Sequence, residues 1–172
     1  MAILPIITAP DPRLKQVSEP VEAVTDDVRR LMDDMLETMY GAPGIGLAAI
    51  QVGVAKNIIV IDLGPDEGME KPLFLVNPEI LETSEELSSY NEGCLSVPEE
   101  YWEVQRPARC RVRYLDYDGK EQVLEAEGLL STCIQHEMDH LKGILFIDYL
   151  SSLKRNMILR RASKARRLKA AE

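Results

Sequence analysis

The chain has 172 residues, 45% of them hydrophobic, and a formal net charge of −9. That length suits one domain with one sizeable core, and three cysteines without framework spacing exclude a disulfide scaffold and point to a reducing compartment. The first charged residue is Asp11 and the first basic one Arg13, and the uncharged stretch 41–55 is short and broken by glycine and proline; no secretory leader, transit segment or membrane span is read, and a cytoplasmic protein is expected.

In chain order, Thr25 precedes a stretch in which Val28, Leu31, Met32, Met35, Leu36 and Met39 recur at helical spacing. This stripe predicts a helix whose methionines belong to the core. The run Gly44-Ile45-Gly46-Leu47-Ala48-Ala49-Ile50-Gln51 reads, by itself, as a turn and a short buried helix. It is no phosphate cradle, because no Gly-Lys-Ser/Thr follows it. Ile58 to Leu63 and Pro72 to Val76 read as strands, and Cys110 to Tyr117 and Glu121 to Glu125 flank Asp118-Gly119 as a hairpin. A further helix is predicted from Leu129 to Leu141, ending at Gly143, with Leu130, Ile134 and Leu141 on its packing side. The expected fold class is α+β: mainly antiparallel strands around that central helix. Residues 1–150 are read as one catalytic domain and 151–172 as a basic helical extension, capped at Ser151 or Ser152.

The chemistry concentrates in Gln135-His136-Glu137-Met138-Asp139-His140. Two histidines four apart on a helix face the same way and can grip one metal ion, with the glutamate between them as a general base. The chain has no other histidine, so a third ligand must be a cysteine or a carboxylate. An extended three-histidine site would need histidine at Phe146, and a thermolysin-like downstream glutamate is missing: after His140 only Asp148 and Glu172 are acidic. The best third ligand is Cys94, in Glu92-Gly93-Cys94-Leu95-Ser96, which would leave a fourth position for water. Cys110 reads as a small buried hydrophobe and Cys133 as apolar pocket or core. A Cys94 nucleophile activated by His136 is the other chemical reading, and it leaves the His-Glu-x-x-His spacing unexplained.

These three segments, in this order, make the chain resemble the peptide deformylases. The family motifs Gly-x-Gly-Leu-Ala-Ala-x-Gln, Glu-Gly-Cys-Leu-Ser and Gln-His-Glu-x-Asp-His are matched at Gly44 to Gln51, Glu92 to Ser96 and Gln135 to His140. The resemblance extends through Pro10 to Leu14, Met35 to Tyr40 and Leu145 to Leu150. It implies removal of the N-formyl group from the formylmethionine of nascent polypeptides. It also implies one divalent ion, iron(II), replaceable by zinc, nickel or cobalt; the ligand types alone do not choose among these.

On this reading a metal on Cys94, His136 and His140 activates water, and Glu137 takes the proton and later delivers it to the departing amine. The Gln51 side-chain amide and, by the resemblance, the Leu95 backbone N–H would hold the charge developing on the formyl oxygen. Gly46 and Gly93 leave room for an extended peptide to pair with enzyme backbone. The resemblance places the methionine pocket at Ile45, Tyr90, Leu129 and Cys133. Where well-known bacterial members carry an arginine, this chain has Tyr101. A His-Glu-x-x-His peptidase and a non-catalytic ribosome-associated module are the alternative functions.

From Lys154 to Lys169 there are eight basic residues and no acid, although the whole chain is acidic. One reading is a solvated face. The other is a cationic helix that meets ribosomal RNA, and the resemblance implies docking near the nascent-chain exit. Neither DNA nor a membrane is expected as a partner.

Overall fold

The computed structural model describes residues 2–171. Helix α1 (Asp26–Gly41) starts where the Thr25 hydroxyl accepts the Val28 N–H at 3.3 Å, and Met32, Met35 and Met39 are fully buried along its inner stripe. Strands β1 (Gly46–Ala48), β2 (Ile58–Ile61), β3 (Leu73–Thr83), β6 (Arg109–Leu115) and β7 (Glu121–Glu127) form one antiparallel sheet in the order β1-β2-β3-β6-β7. Strand β2 shows why its sequence is an unbroken Ile-Ile-Val-Ile run. Successive side chains point to opposite faces; Ile58 and Val60 pack with the α1 methionines, while Ile59 and Ile61 join Ile134, Met138 and Leu141 of α2 (Gly128–Leu141) on the other face.

Strands β4 (Leu87–Cys94) and β5 (Val97–Pro107) pair separately as a long hairpin. Helix α2 is packed between this hairpin and the sheet. That position buries it on every side: Ser131 to Met138, His140 and Leu141 are all buried. The packing side read from Leu130, Ile134 and Leu141 is therefore part of a wider contact. The sequence expectation of antiparallel strands around a central helix matches this architecture.

Several boundaries differ for local reasons. Strand β3 continues to Thr83, past the expected end at Val76, because Asn77 at φ 50 absorbs a register shift rather than ending the strand. Its side chain takes the place of a strand partner, accepting the Val21 N–H and donating to the Val21 carbonyl, both at 2.8 Å. The β6–β7 connection is a five-residue loop, 116–120, rather than a two-residue turn. Asp116 Oδ1 accepts the N–H groups of Asp118 and Lys120, and Gly119 supplies φ 80.

Helix α3 (Ser152–Ala170) is capped by Ser151, whose hydroxyl accepts the Lys154 N–H at 3.2 Å. It is docked on the rest of the molecule. Ile158 is fully buried among Leu14, Val97, Phe146 and Ile147, with Leu159 and Ala162 at the margin. Among the described residues no helix is long and apolar enough to cross a membrane.

Candidate metal centre

Three segments distant in sequence meet around the middle of α2. The β4–β5 hairpin closes with Cys94 paired to Val97, so Leu95 and Ser96 form its tight turn and Cys94 stands at the tip. The α2 turn from His136 to His140 faces that tip. Cys94 Sγ lies 3.4 Å from His140 Nε2, and one ligand atom from each of Cys94, His136 and His140 falls within 4.8 Å of the others. A thiolate and two imidazoles this close form a donor set suited to a single tetrahedral ion such as zinc or iron(II).

The imidazole of His136 is oriented from behind. Its Nδ1 sits 2.9 Å from Glu92 Oε1, leaving Nε2 for the cluster. Glu92 in turn accepts a fork from Arg106, 2.7 Å from Nε and 3.0 Å from Nη2. Arg106 reaches onward to Asp139 at 2.8 Å, and Tyr149 donates to the same Asp139 oxygen at 2.7 Å while its ring lies 4.8 Å below the guanidinium. Burial alone would raise the Glu92 pKa, but the hydrogen bonds from His136 and Arg106 outweigh it and hold Glu92 ionised below its ordinary value.

Glu137 shows the opposite balance. It is 3% exposed, and burial pushes its carboxyl up to about 7. Its Oε1 has no hydrogen-bond partner among the described residues, and His140 Nε2 is 3.7 Å away. Burial, reinforced by the nearby His136 and Arg106, drives His140 well below the ordinary imidazole range, which favours the neutral form a metal requires. The close approach of strand β1 depends on Gly46, where a Cβ would lie 2.7 Å from Glu137 Oε2 and 3.0 Å from Cys133 Sγ.

Gln51 lies behind the cluster, 1% exposed. Its Oε1 accepts the Ala48 N–H at 2.9 Å, which turns Nε2 toward Ser96 Oγ at 2.9 Å and Cys94 Sγ at 3.6 Å. The orientation of the amide is thereby fixed by backbone.

In front of the cluster a cleft of about 720 Å³ opens between residues 42–46 on one wall and 90–101 on the other. Ile45, Gly46, Tyr90, Gly93, Leu95, Leu129 and Cys133 line it together with Cys94, His136 and Glu137. Gln51 and His140 are not part of that lining; they stand behind it. Gly44 admits the Leu95 side chain, since a Cβ there would be 2.7 Å from Leu95 Cδ1. Cys110 is buried in the sheet core away from the cluster, and burial raises the thiols of both Cys110 and Cys133.

The sequence reading named neither Arg106 nor Tyr149 nor the bracing role of Asp139. A signal for Arg106 was present: it is the first basic residue after Lys71 in a stretch carrying many glutamates.

Comparison with known proteins agrees with this geometry. Residues 3–156 match the family model described as polypeptide deformylase. The chain is 64% identical over 167 residues to a peptide deformylase of Hyphomonas neptunium, covering 96% of this chain and 95% of the relative. It is 58% identical over 172 residues to that of Rhizobium meliloti, covering 100% and 99%. Among solved structures, the peptide deformylase of Ehrlichia chaffeensis in complex with actinonin superposes with a TM-score of 0.93 at 45% identity, covering 96% of this chain and 98% of that one. That of Legionella pneumophila gives 0.91 at 43% identity, covering 99% of both. Matches of this extent and identity, on a chain whose His-Glu-x-x-His helix meets a cysteine from a Glu-Gly-Cys-Leu-Ser turn, establish that it belongs to the peptide deformylase family.

Proposed function

We propose that Cys94, His136 and His140 hold one divalent ion and that Glu137 is the general base for hydrolysis of the formyl amide. The family removes the N-formyl group from nascent peptides and depends on a metal. The observation that carries the assignment to these residues is the convergence of one thiol and two imidazoles beside a buried, unpartnered carboxylate oxygen. A divalent ion bound there supplies Lewis acidity, lowering the pKa of water and polarising the formyl oxygen. Iron(II) is the proposed native metal, with zinc, nickel or cobalt as substitutes.

The side chains supply the rest. Glu137, with its carboxyl near neutrality, accepts the water proton and returns it to the leaving amine. Gln51 donates through Nε2 to the oxygen on which charge develops, its other end anchored on Ala48. The Leu95 N–H, at the hairpin turn, is the second donor. Glu92 and Arg106 keep His136 in one orientation. Ile45, Tyr90, Leu129 and Cys133 receive the methionine side chain, and the backbone at Gly46 and Gly93 pairs with the extended peptide. Because formyl carries only hydrogen on its carbon, a site this crowded rejects bulkier acyl groups.

The exposed cations of α3 support association with the ribosome: Arg160, Lys164, Arg167 and Lys169 are exposed and form no ion pair among the described residues. A cytoplasmic enzyme acting on emerging chains follows. The direct test is release of formate and a free amine from formyl-Met-Ala-Ala amide, with acetyl-Met-Ala-Ala amide left intact. Cleavage of an unformylated internal peptide bond instead would favour the peptidase reading.

A further inference from the structure

The deformylase reading asks only for apolar bulk around the methionine side chain, yet three groups on the cleft wall carry a hydrogen on oxygen or sulphur. They are Tyr90, Thr132 and Cys133. Helix α2 sets their order, because residues four apart on a helix stand one above the other. Thr132 and Cys133 therefore lie one turn, about 5.4 Å, toward the helix N-terminus from His136 and Glu137. Gly128 and Leu129 begin the helix one turn further on, where the Tyr90 hydroxyl comes within 3.6 Å of the position a Cβ on Gly128 would take.

Thr132 is the most telling of the three. It is 3% exposed, and its Oγ1 is closed off from solvent with no hydrogen-bond partner among the described residues. A threonine inside a helix usually bonds back to the carbonyl three or four residues earlier, which divides it between two χ1 rotamers. Thr132 makes no such bond. Nothing anchors the hydroxyl, and rotation about χ1 exchanges Oγ1 and Cγ2 without moving the backbone. A buried hydroxyl left unmet costs stability, and valine would fill the same space without that cost. An accepting atom of a ligand in the cleft would complete it. Cys133 adds to the same turn: burial raises its thiol well above the ordinary range, so it stays protonated as a second, weak donor.

With the formyl amide at the His136–Glu137 level, the methionine sulphur, three bonds beyond Cα, reaches toward the Thr132–Cys133 turn. A thioether sulphur accepts hydrogen bonds weakly. Its sulfoxide carries a polar oxygen on that same atom.

We infer that the pocket takes formylmethionine sulfoxide as well as formylmethionine, with Thr132 Oγ1 donating to the sulfoxide oxygen. This rests on the deformylase reading of the same site. The hydrolysis is unchanged: water adds to the formyl carbon, the C–N bond of the formamide breaks, formate and a free amine leave, and the sulfoxide passes through unreduced. S-oxidation of an initiating methionine supplies this substrate, and sulfoxide reduction consumes the product.

The experiment compares kcat/KM for formate release from formyl-Met(O)-Ala-Ala amide, formyl-Met-Ala-Ala amide and formyl-norleucyl-Ala-Ala amide on the metal-loaded full chain. Norleucine puts a methylene where methionine has sulphur. A pocket without a donor would reject the sulfoxide by roughly 10–10²-fold against norleucine, the cost of burying a polar group unpaired. The sulfoxide is instead expected within about tenfold of norleucine, because a hydrogen bond offsets that cost. In Thr132→Val the sulfoxide-to-norleucine ratio should fall at least about fivefold, the scale of one lost hydrogen bond. The ratio is taken within one preparation, so any loss of active protein cancels. The denaturant midpoint of the variant should be unchanged or higher, since valine removes an unmet hydroxyl. A wild-type sulfoxide deficit greater than about tenfold, with the norleucine peptide turned over, overturns sulfoxide acceptance and leaves the deformylase reading intact. A ratio that falls less than about fivefold in Thr132→Val overturns the assignment to Thr132. A lowered midpoint overturns the premise that its hydroxyl is unmet. Failure to release formate from any of the three peptides overturns the deformylase reading itself.

Discussion

Glu92 and His136 form a buried pair, Oε1 to Nδ1 at 2.9 Å, and the same carboxylate is gripped from its other side by Arg106. An imidazole whose Nδ1 proton is donated to a carboxylate has its Nε2 lone pair free and its ring angle fixed. The pair therefore links the hairpin tip that carries Cys94 to the helix that carries both histidines, and the centre keeps its shape through contacts one residue removed from it.

Removing Arg106 should be costly. It is 4% exposed, and its loss leaves Glu92 and Asp139 as buried carboxylates without their cation. Arg106→Met is expected to lower unfolding free energy by about 3–5 kcal/mol, the usual penalty for breaking one side of a buried ion pair. Denaturant titration of the variant against the wild type measures it; a midpoint unchanged at constant slope would mean that the network carries no stability.

Glu137→Gln keeps size and nearly all of the packing but cannot accept a proton. Metal content should remain stoichiometric while formate release falls at least about 10²-fold, the scale of a positioned acid-base group. Near-normal turnover by the metal-loaded variant would take Glu137 out of the chemistry.

Among the thiols the expected effects diverge. Cys94→Ser should sharply weaken metal binding, since a neutral hydroxyl replaces a thiolate. Cys110→Ser lies in the sheet core and should leave metal content intact, as should Cys133→Ser. Metal analysis after dialysis separates these cases, and retention of metal with unchanged affinity by the Cys94 variant would displace it from the ligand set.

Helix α3 supplies no side chain to the cluster, yet Ile158 is completely buried against Phe146 and Ile147. Deleting the chain after Ser152 is expected to lower stability by at least the cost of Ile158→Ala, about 2–5 kcal/mol. The folded fraction should still hydrolyse a short formyl-Met peptide. Ribosome cosedimentation at low salt should be lost with the helix and, in the intact protein, should weaken steeply as salt rises. Unchanged cosedimentation after the deletion would leave the cations of α3 as a solvated face.

How much of this was legible in the sequence depends on whether the signal was local. The α1 stripe, helix α2 and the Ser151 cap were readable because period and capping residues sit next to one another in the chain. The β4–β5 hairpin was not read as strands, for its inward positions include Glu92 and Arg106, charged residues where a buried strand normally shows apolar ones. Their pairing becomes apparent only once the hairpin is folded against α2. The same reason hid Arg106, Asp139 and Tyr149 as supports of the site. The proposed ligand set came from composition, which left few choices: with two histidines in the whole chain, elimination pointed to Cys94, and the fold brings these three side chains together.

The most direct test of the proposed centre is metal stoichiometry followed in parallel with formate release. Protein purified without oxygen should hold one divalent ion per chain, lose formate release on chelation, and regain it when iron(II), nickel or zinc is restored, with Cys94→Ser failing to regain it. Full formate release by metal-free protein, or a stoichiometrically loaded protein that leaves formyl-Met-Ala-Ala amide untouched, would contradict the assignment of Cys94, His136 and His140 as the catalytic metal site.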